Sequence, residues 1–130
     1  MAINTAGQTR TGNAAPSGQA NFKTGRIVLD GTSITAADYL LVELGFTPKY
    51  VCFENITDLA KAEWYEGMAQ DTCLRTVAAG TRTLQTANKG IAITDKDGTQ
   101  NSEGRCFTVS QNATLAIVAA SKTLTWAAWG

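Results

Sequence analysis

The chain has 130 residues, of which 44% are hydrophobic and only 17% are charged. A chain of this length fits one domain and can bury enough surface to fold without disulfides or metals. Its 11 basic and 11 acidic residues give a formal net charge of zero. We therefore expect no nucleic acid as a partner, because no long-range positive field draws the protein to a polyanion.

Two residue types limit the chemistry that this sequence can support. There is no histidine, which excludes histidine-based acid–base catalysis and disfavours a zinc site. The cysteines Cys52, Cys73 and Cys106 are odd in number and form no CxxC pair, so we expect thiols instead of a disulfide framework.

No run approaches the ~20 apolar residues of a membrane span, and the N-terminus lacks the apolar segment of a secretory signal. We expect a soluble protein with no membrane partner.

The first 21 residues consist mainly of small and polar types, and Met1 and Ile3 are their only large apolar side chains. Such a segment cannot bury enough apolar surface to offset an ordering cost of about 1–2 kcal/mol per residue. We predict an extended N-terminal arm over residues 1–21 that is mobile in isolation, as a plain tail or as an arm that orders against a partner. The folded domain is predicted over residues 22–130.

Short apolar runs separated by turn residues begin at Phe22, a rhythm that is typical of a β-sandwich or barrel. Residues 26–29 predict a strand that ends at the turn pair Asp30-Gly31. The run YLLVELGF, residues 39–46, is hydrophobic apart from Glu43, which predicts a strand buried on both faces.

The run PKYVCFEN, residues 48–55, alternates in a way that predicts a strand. The period of two places Tyr50 and Cys52 on one face and Val51 and Phe53 on the other.

The next segment, residues 56–68, admits two interpretations. Asp58 could cap a short helix, whereas the run AEWYEG fits a strand that ends at Gly67. We favour a turn followed by a strand, because Trp64 and Tyr65 are adjacent aromatics and no helical stripe is sustained.

The remaining runs complete a set of about nine strands. A hairpin of Thr-rich strands is predicted at CLRTV and RTLQT, around Ala78-Ala79-Gly80. Further strands are predicted at residues 91–94, 105–110, 114–121 and 122–129, with a polar exposed loop at 95–104. In the last strand, Leu124 and Trp126 fall on one face and Trp129 on the other. This pattern predicts an all-β fold: an antiparallel β-sandwich, jelly-roll-like, with strand order left open.

The polar segments offer no convincing catalytic or metal site. Residues 95–103 alternate carboxylates and amides, but their glycine comes two positions too early for an EF-hand loop. Glu63 and Glu66 flank the aromatic pair, yet residues three apart on a strand face opposite sides, which argues against paired-carboxylate sugar hydrolysis. No histidine is present to activate a serine or cysteine nucleophile. We predict that the protein is not an enzyme and has no catalytic, cofactor or metal site.

The aromatic residues Trp64, Tyr65, Trp126 and Trp129 have two possible roles. Most large aromatics fill a core, but an exposed ring can stack on a glycan or anchor a protein interface. One member of each pair must point outward, because adjacent or out-of-phase residues on a strand face opposite sides.

Several segments carry a likeness to known proteins: FTPKYV, EWYEGM and AAGTRT, followed by GIAITDKDG and the closing KTLTWAAWG. Together they resemble small proteins encoded in the structural modules of tailed bacteriophages. The likeness covers the chain from about Arg26 onward, and the N-terminal segment adds only a general similarity. None of these segments is a catalytic signature.

The resemblance implies a capsid decoration (cement) protein, a jelly-roll-like domain on the outside of the icosahedral head that ties major capsid subunits together. Its partners would be the phage major capsid protein and copies of itself, as a dimer or trimer. It would be made in the host bacterial cytoplasm and reside on the outer capsid surface of the virion. The candidates for contact with the capsid or with other copies are Ile3, Asn4, Gln8, Arg10, Asn13, Trp64, Tyr65 and Trp129.

A different class of function stays open. The protein could be a binding module of a tail fibre or baseplate whose exposed aromatics touch a host glycan. That role predicts aromatics and amides clustered around one pocket, whereas a cement protein predicts a broad, flat contact and a long ordered arm.

Overall fold

The computed structural model describes residues 3–14, 21–86, 88–93 and 105–130, without the side chains of residues 11–14. Ten strands lie within these residues: β1 Gln8–Ala14, β2 Phe22–Leu29, β3 Tyr39–Glu43, β4 Tyr50–Asn55, β5 Ala60–Tyr65, β6 Cys73–Thr76, β7 Arg82–Gln85, β8 Ile91–Ala92, β9 Cys106–Ser110 and β10 Thr123–Trp129. They form a seven-stranded sheet in the order β1-β2-β10-β4-β5-β6-β7 and a three-stranded sheet in the order β3-β9-β8. All strand pairs are antiparallel. The prediction of an all-β, antiparallel, sandwich-like fold is confirmed.

Side chains from both sheets meet in one core. Phe107 of β9 packs edge-on against Phe53 of β4, with ring centroids 6.0 Å apart, and against Trp126 of β10, with centroids 5.5 Å apart. Aromatic pairs in this arrangement contribute about 0.5–1.5 kcal/mol beyond their burial. Gly25 of β2 lies opposite Trp126, and a Cβ there would meet the indole ring at 2.4 Å. Glycine is therefore needed at this position so that the ring can cover the strand.

The predicted alternation holds in the two central strands of the large sheet. In β4, Val51 and Phe53 are buried, while Tyr50 and Cys52 on the other face are only partly so. In β10 the buried face carries Leu124, Trp126 and Ala128, and Trp129 points outward. The four consecutive buried residues that begin β3 confirm a strand covered on both faces.

The turn before β5 is confirmed, and a buried amide holds it. Asn55 is fully buried, and its Oδ1 accepts hydrogen bonds from the backbone N–H groups of Thr57 at 3.0 Å and Asp58 at 2.9 Å. Its Nδ2 donates to the carbonyl of Ile117 at 3.0 Å. Every group of this amide is therefore used, which offsets the cost of burying it.

The hairpin of β6 and β7 is also confirmed. Its turn closes with a hydrogen bond from the N–H of Gly80 to the carbonyl of Val77 at 2.8 Å. Gly80 has a φ of 91°, a conformation that glycine adopts without strain.

The prediction of a strand at residues 114–121 is wrong. This segment consists of turns and irregular structure, although Leu115 and Ile117 are fully buried. Side chains of the large sheet donate hydrogen bonds to its carbonyls: Arg75 donates to the carbonyl of Leu115 at 2.6 Å, and Asn55 donates to that of Ile117. The apolar run reflects burial of an irregular segment whose backbone is satisfied by side chains instead of a strand ladder.

Part of the predicted N-terminal arm is paired with the large sheet. Residues 8–14 form β1, which pairs along its whole length with β2. Strand pairing uses backbone N–H and carbonyl groups, so a segment without apolar side chains can still be ordered by the edge of a sheet. The remaining parts of the predicted arm at residues 1–2 and 15–20 lie outside the described residues, as does the predicted loop at 95–104.

Candidate functional site

The large sheet has one face packed on the core and a second face whose side chains point away from it. We call this second face the open face. Strand register arranges its side chains in rows that cross the sheet from β2 onward, one residue from each strand crossed. The rows can be named by their chemistry: an aromatic row, a small row and a charged row.

The aromatic row lies at one end of β2, β10, β4 and β5. It contains Phe22, Trp129, Tyr50 and Tyr65, each opposite the next in register. Their ring centroids are 4.9, 5.2 and 4.8 Å apart in that order. The outer surfaces of the row are accessible, since Trp129 is 43% exposed and Tyr65 is 42% exposed.

A buried carboxylate fixes two rings of the aromatic row. Glu63 is 8% exposed, and its Oε2 accepts hydrogen bonds from the hydroxyls of Tyr50 at 2.7 Å and Tyr65 at 3.4 Å. Its Oε1 lies 3.5 Å from Arg82 and 3.8 Å from Lys61. Burial, together with the hydrogen bond to Glu63, raises the pKa of Tyr50. Tyr50 therefore stays neutral and its ring is held in one orientation.

The small row lies next to the aromatic row. It runs across the sheet through Thr24, Ala127, Cys52, Glu63, Leu74 and Leu84. The side chains at its β2, β10 and β4 positions are short, so the open face is recessed there. At the other end of the row, Leu84 on the edge strand β7 is 58% exposed.

The charged row comes next and carries most of the formal charges of the open face. It runs through Arg26, Thr125, Glu54, Lys61, Thr76 and Arg82. Lys61 and Arg82 are near Glu63. Within the described residues, the side chains of Arg26 and Glu54 form neither a hydrogen bond nor an ion pair.

Four of the predicted contact residues are engaged within the chain, around the edge of β3. Ile3 forms an isolated bridge with Tyr39. Arg10 donates to the carbonyl of Leu41 at 2.8 Å and to the side-chain oxygens of Asn4 and Gln8, both at 2.5 Å. We call Asn4, Gln8 and Arg10 the N-terminal latch, because they join the start of the chain to the small sheet.

The other predicted contact residues divide between core and surface. Trp64 is 2% exposed and its Nε1–H donates to the carbonyl of Ala69 at 3.2 Å, so its side chain is not a contact surface. Tyr65 and Trp129 lie together on the open face. Asn13 lies in β1 opposite Thr24.

Sequence reasoning missed four residues of the open face: Phe22, Tyr50, Arg26 and Glu54. The alternation within each strand could be predicted, but their adjacency depends on β10 lying between β2 and β4. No turn or motif in the sequence specifies that strand order.

The three cysteines form no disulfide with one another. Cys73 and Cys106 are buried, and burial raises the pKa of Cys73 to about 12. Cys52 is half-buried in the small row, where burial also raises the pKa of its thiol.

The loop at residues 95–103 that was compared with a calcium loop lies outside the described residues. No group of three or more His, Cys, Asp or Glu among them is placed to hold a metal ion. The described part of the chain also contains no helix that is long and apolar enough to cross a membrane.

The comparisons with known proteins gave no relative. No family model matches the chain, and no curated protein or solved structure matches it either.

Proposed function

We propose that this protein is a decoration (cement) protein of a tailed bacteriophage. In this role it binds the outside of the icosahedral head and stabilises contacts between major capsid subunits. The observation that carries the proposal is the open face, a broad sheet surface on which Trp129, Tyr65 and Leu84 are exposed. Contiguous exposed apolar side chains, such as those of the aromatic row, mark surfaces that bind other proteins.

Two further features support this assignment. The segments from FTPKYV to KTLTWAAWG resemble virion structural proteins, and the resemblance implies a jelly-roll-like domain. The nested pairing of β2 with β10 in one sheet and of β3 with β9 in the other is consistent with such a rolled topology. The consecutive hairpins from β4 to β7 are a departure from it.

The mechanism that we propose is multivalent attachment through the β6–β7 end of the open face. Leu84 supplies an exposed apolar anchor there, and β7 is an edge strand whose outer backbone groups can pair with a strand of the shell. A small oligomer would present several such edges, so that weak contacts reinforce one another through effective concentration. The protein would need no catalytic activity for this role.

A glycan-binding module of a tail fibre or baseplate is the second candidate. One observation favours it: the aromatic row presents the exposed rings of Trp129 and Tyr65 on either side of Tyr50, and such rings can stack on a sugar ring. The two functions differ in where the protein lies on the virion.

The test is binding to phage heads that lack the protein, followed by imaging. We expect added protein to give density at the junctions between capsomers, whereas density confined to the tail would contradict a decoration role. Leu84→Glu should abolish binding by placing a charge at the anchor. Leu59→Glu is the matched control, because Leu59 is 63% exposed in the turn before β5 and lies outside the proposed contact. Equal binding by the two variants would exclude the β7 edge as the contact.

A further inference from the structure

We propose that two copies of this chain pack face to face through their open faces, around a two-fold axis that runs along β10. The proposal does not depend on the decoration function, because it concerns the protein alone in solution. A second copy of this chain covers the aromatic, small and charged rows between β1 and β5.

The first argument is charge complementarity in the charged row. Arg26 and Glu54 lie on either side of Thr125, about 10 Å apart across two strand spacings. Arg26 is exposed and Glu54 is half-buried, and within the described residues neither side chain has a hydrogen bond or an ion pair. Two opposite charges at equal distances from one strand are placed to pair across a two-fold axis along that strand.

The two-fold operation determines which residues face each other. Rotation about β10 reverses the order of strands but keeps each row opposite itself, so β2 faces the partner's β4. Arg26 then faces Glu54 of the partner subunit, and Glu54 faces the partner's Arg26. One interface of this isologous kind therefore forms two ion pairs.

The same operation gives favourable contacts in the other rows. In the aromatic row, Trp129 lies on the axis and meets the partner's Trp129, while Phe22 meets Tyr50 of the partner subunit. In the small row, Ala127 lies on the axis, with Thr24 opposite the partner's Cys52. These short side chains allow the two sheets to approach to about 10 Å, the spacing of packed sheets. Trp, Tyr and Arg are also the residues that most often dominate binding energy.

The alternative two-fold axis in the plane of the sheet, perpendicular to the strands, lacks this complementarity. It keeps each strand opposite itself and reverses the rows, so Arg26 would face the partner's Thr24 and Glu54 would face the partner's Cys52. The aromatic row would then meet Thr123 and Val28, at the other end of β10 and β2. The axis along β10 is therefore the one that pairs the charges and the rings.

The extent of the overlap fits a dimer and leaves the proposed shell contact accessible. Rotation about β10 superposes β1, β2, β10, β4 and β5 on their counterparts, which at ~4.8 Å per strand is about 500 Å² in projection. The accessible surface of the projecting side chains is larger than this flat area. The surface that the overlap buries therefore approaches the roughly 800 Å² per partner of a standard interface. Strands β6 and β7 extend beyond the overlap in both copies.

The experiment uses charge reversal on the full chain, with oligomeric state measured by analytical ultracentrifugation over a concentration series. We expect wild-type protein to form dimers, and Arg26→Glu and Glu54→Arg each to weaken dimerisation by about tenfold or more, because like charges would face each other. The double variant should restore it. Mixing the two single variants should give a heterodimer, because the altered charges are then complementary in both pairs.

Lys89→Glu is the control, since Lys89 is half-buried in the segment before β8 and lies outside the overlap. It should dimerise like the wild type. Circular dichroism of each variant checks the fold, and the mixing result does not depend on either single variant dimerising. A wild-type chain that stays monomeric at every concentration, or a mixture that forms no heterodimer, would overturn the proposal. Loss of shell binding with dimerisation intact would contradict only the decoration function.

Discussion

The side-chain oxygen of Asn4 accepts a hydrogen bond from the backbone N–H of Leu41 at 3.0 Å, which joins the start of the chain to the edge of β3. The same oxygen accepts from Arg10, and the N–H of Asn4 donates to the carbonyl of Tyr39 at 3.1 Å. Asn4 has a φ of 54°, a left-handed conformation that asparagine tolerates better than most residues. This residue therefore acts at the β3 edge as a short substitute for a neighbouring strand.

Replacement of this latch residue should destabilise the fold. Asn4→Ala removes the acceptor of two hydrogen bonds and puts alanine in a left-handed conformation, so we expect a loss of about 1–3 kcal/mol. Asn4→Asp keeps the acceptor oxygen facing Arg10 and should retain most of the stability. Urea denaturation measures both, and equal stability of the two variants would show that the latch contributes nothing.

Truncation tests β1 as part of the sheet. Deletion of residues 1–21 removes β1 and the latch, and it exposes the edge of β2 to solvent. We expect a lower midpoint of thermal unfolding and a greater tendency to aggregate, because an uncovered edge strand can pair with other chains. A truncated protein that is as stable as the intact chain would instead support the arm that composition alone predicts.

Alanine substitutions of two tryptophans of the large sheet should have different effects on stability and on self-association. Trp64→Ala should cost about 3–5 kcal/mol, because Trp64 is buried between the sheets. Trp129→Ala should change the stability of the monomer much less, because Trp129 is 43% exposed, but it should weaken self-association. Denaturation of the two variants measures stability, and sedimentation measures self-association. Reversal of both effects would contradict the prediction.

The protein should lose stability at alkaline pH. Burial raises the pKa of Tyr39, Tyr50 and Cys73, so the folded chain keeps protons that the unfolded chain releases. The unfolded pKa values are about 8.5 for cysteine and about 10 for tyrosine. The free energy of unfolding is therefore unaffected by these groups below pH 8 and falls as the pH rises above about 9.

Tyr50→Phe isolates one of these groups. The variant should lose about 1 kcal/mol of folding stability at neutral pH, because phenylalanine cannot donate the hydrogen bond that Tyr50 gives to Glu63. Above pH 10 its stability should fall less steeply than that of the wild type, because one raised pKa has been removed. Unfolding curves between pH 7 and pH 11 give the two slopes, and parallel slopes would contradict the assignment to Tyr50.

The thiols should differ in reactivity. In the native protein we expect a thiol reagent to modify Cys52 alone, and slowly, because Cys73 and Cys106 are buried and burial raises the pKa of Cys52. Denatured protein should react at all three cysteines. Modification of Cys52 should become slower still as the concentration rises, if two open faces cover it. Mass spectrometry of the modified peptides identifies the site, and rapid native labelling of Cys73 would contradict the structure.

The sequence predicts the elements of this fold better than their assembly. Alternation in β4 and continuous hydrophobicity in β3 are local signals, and both strands lie where the pattern places them. Residues 114–121 mislead because Leu115 and Ile117 are buried while their carbonyls bond to Arg75 and Asn55, residues that are distant in the chain.

The candidate site was harder to predict for a related reason. The outward orientation of Trp129 and Tyr65 follows from alternation. Their assembly into one aromatic row with Phe22 and Tyr50 follows from strand order, which depends on the combined packing of both sheets. The pairing of residues 8–14 with β2 could not be predicted, because composition measures apolar burial and does not register backbone pairing.

The position of β10 also has a consequence for how the protein folds. This strand is the last of the ten in chain order, yet it lies between β2 and β4 and completes the middle of the large sheet. Until it docks, β2 and β4 each have an exposed hydrogen-bonding edge, and the indole of Trp126 is missing from the core. Pairings between such distant segments slow folding, into the range of about milliseconds to seconds. A chain whose last strand has not docked therefore exposes two strand edges at which other chains can compete with β10.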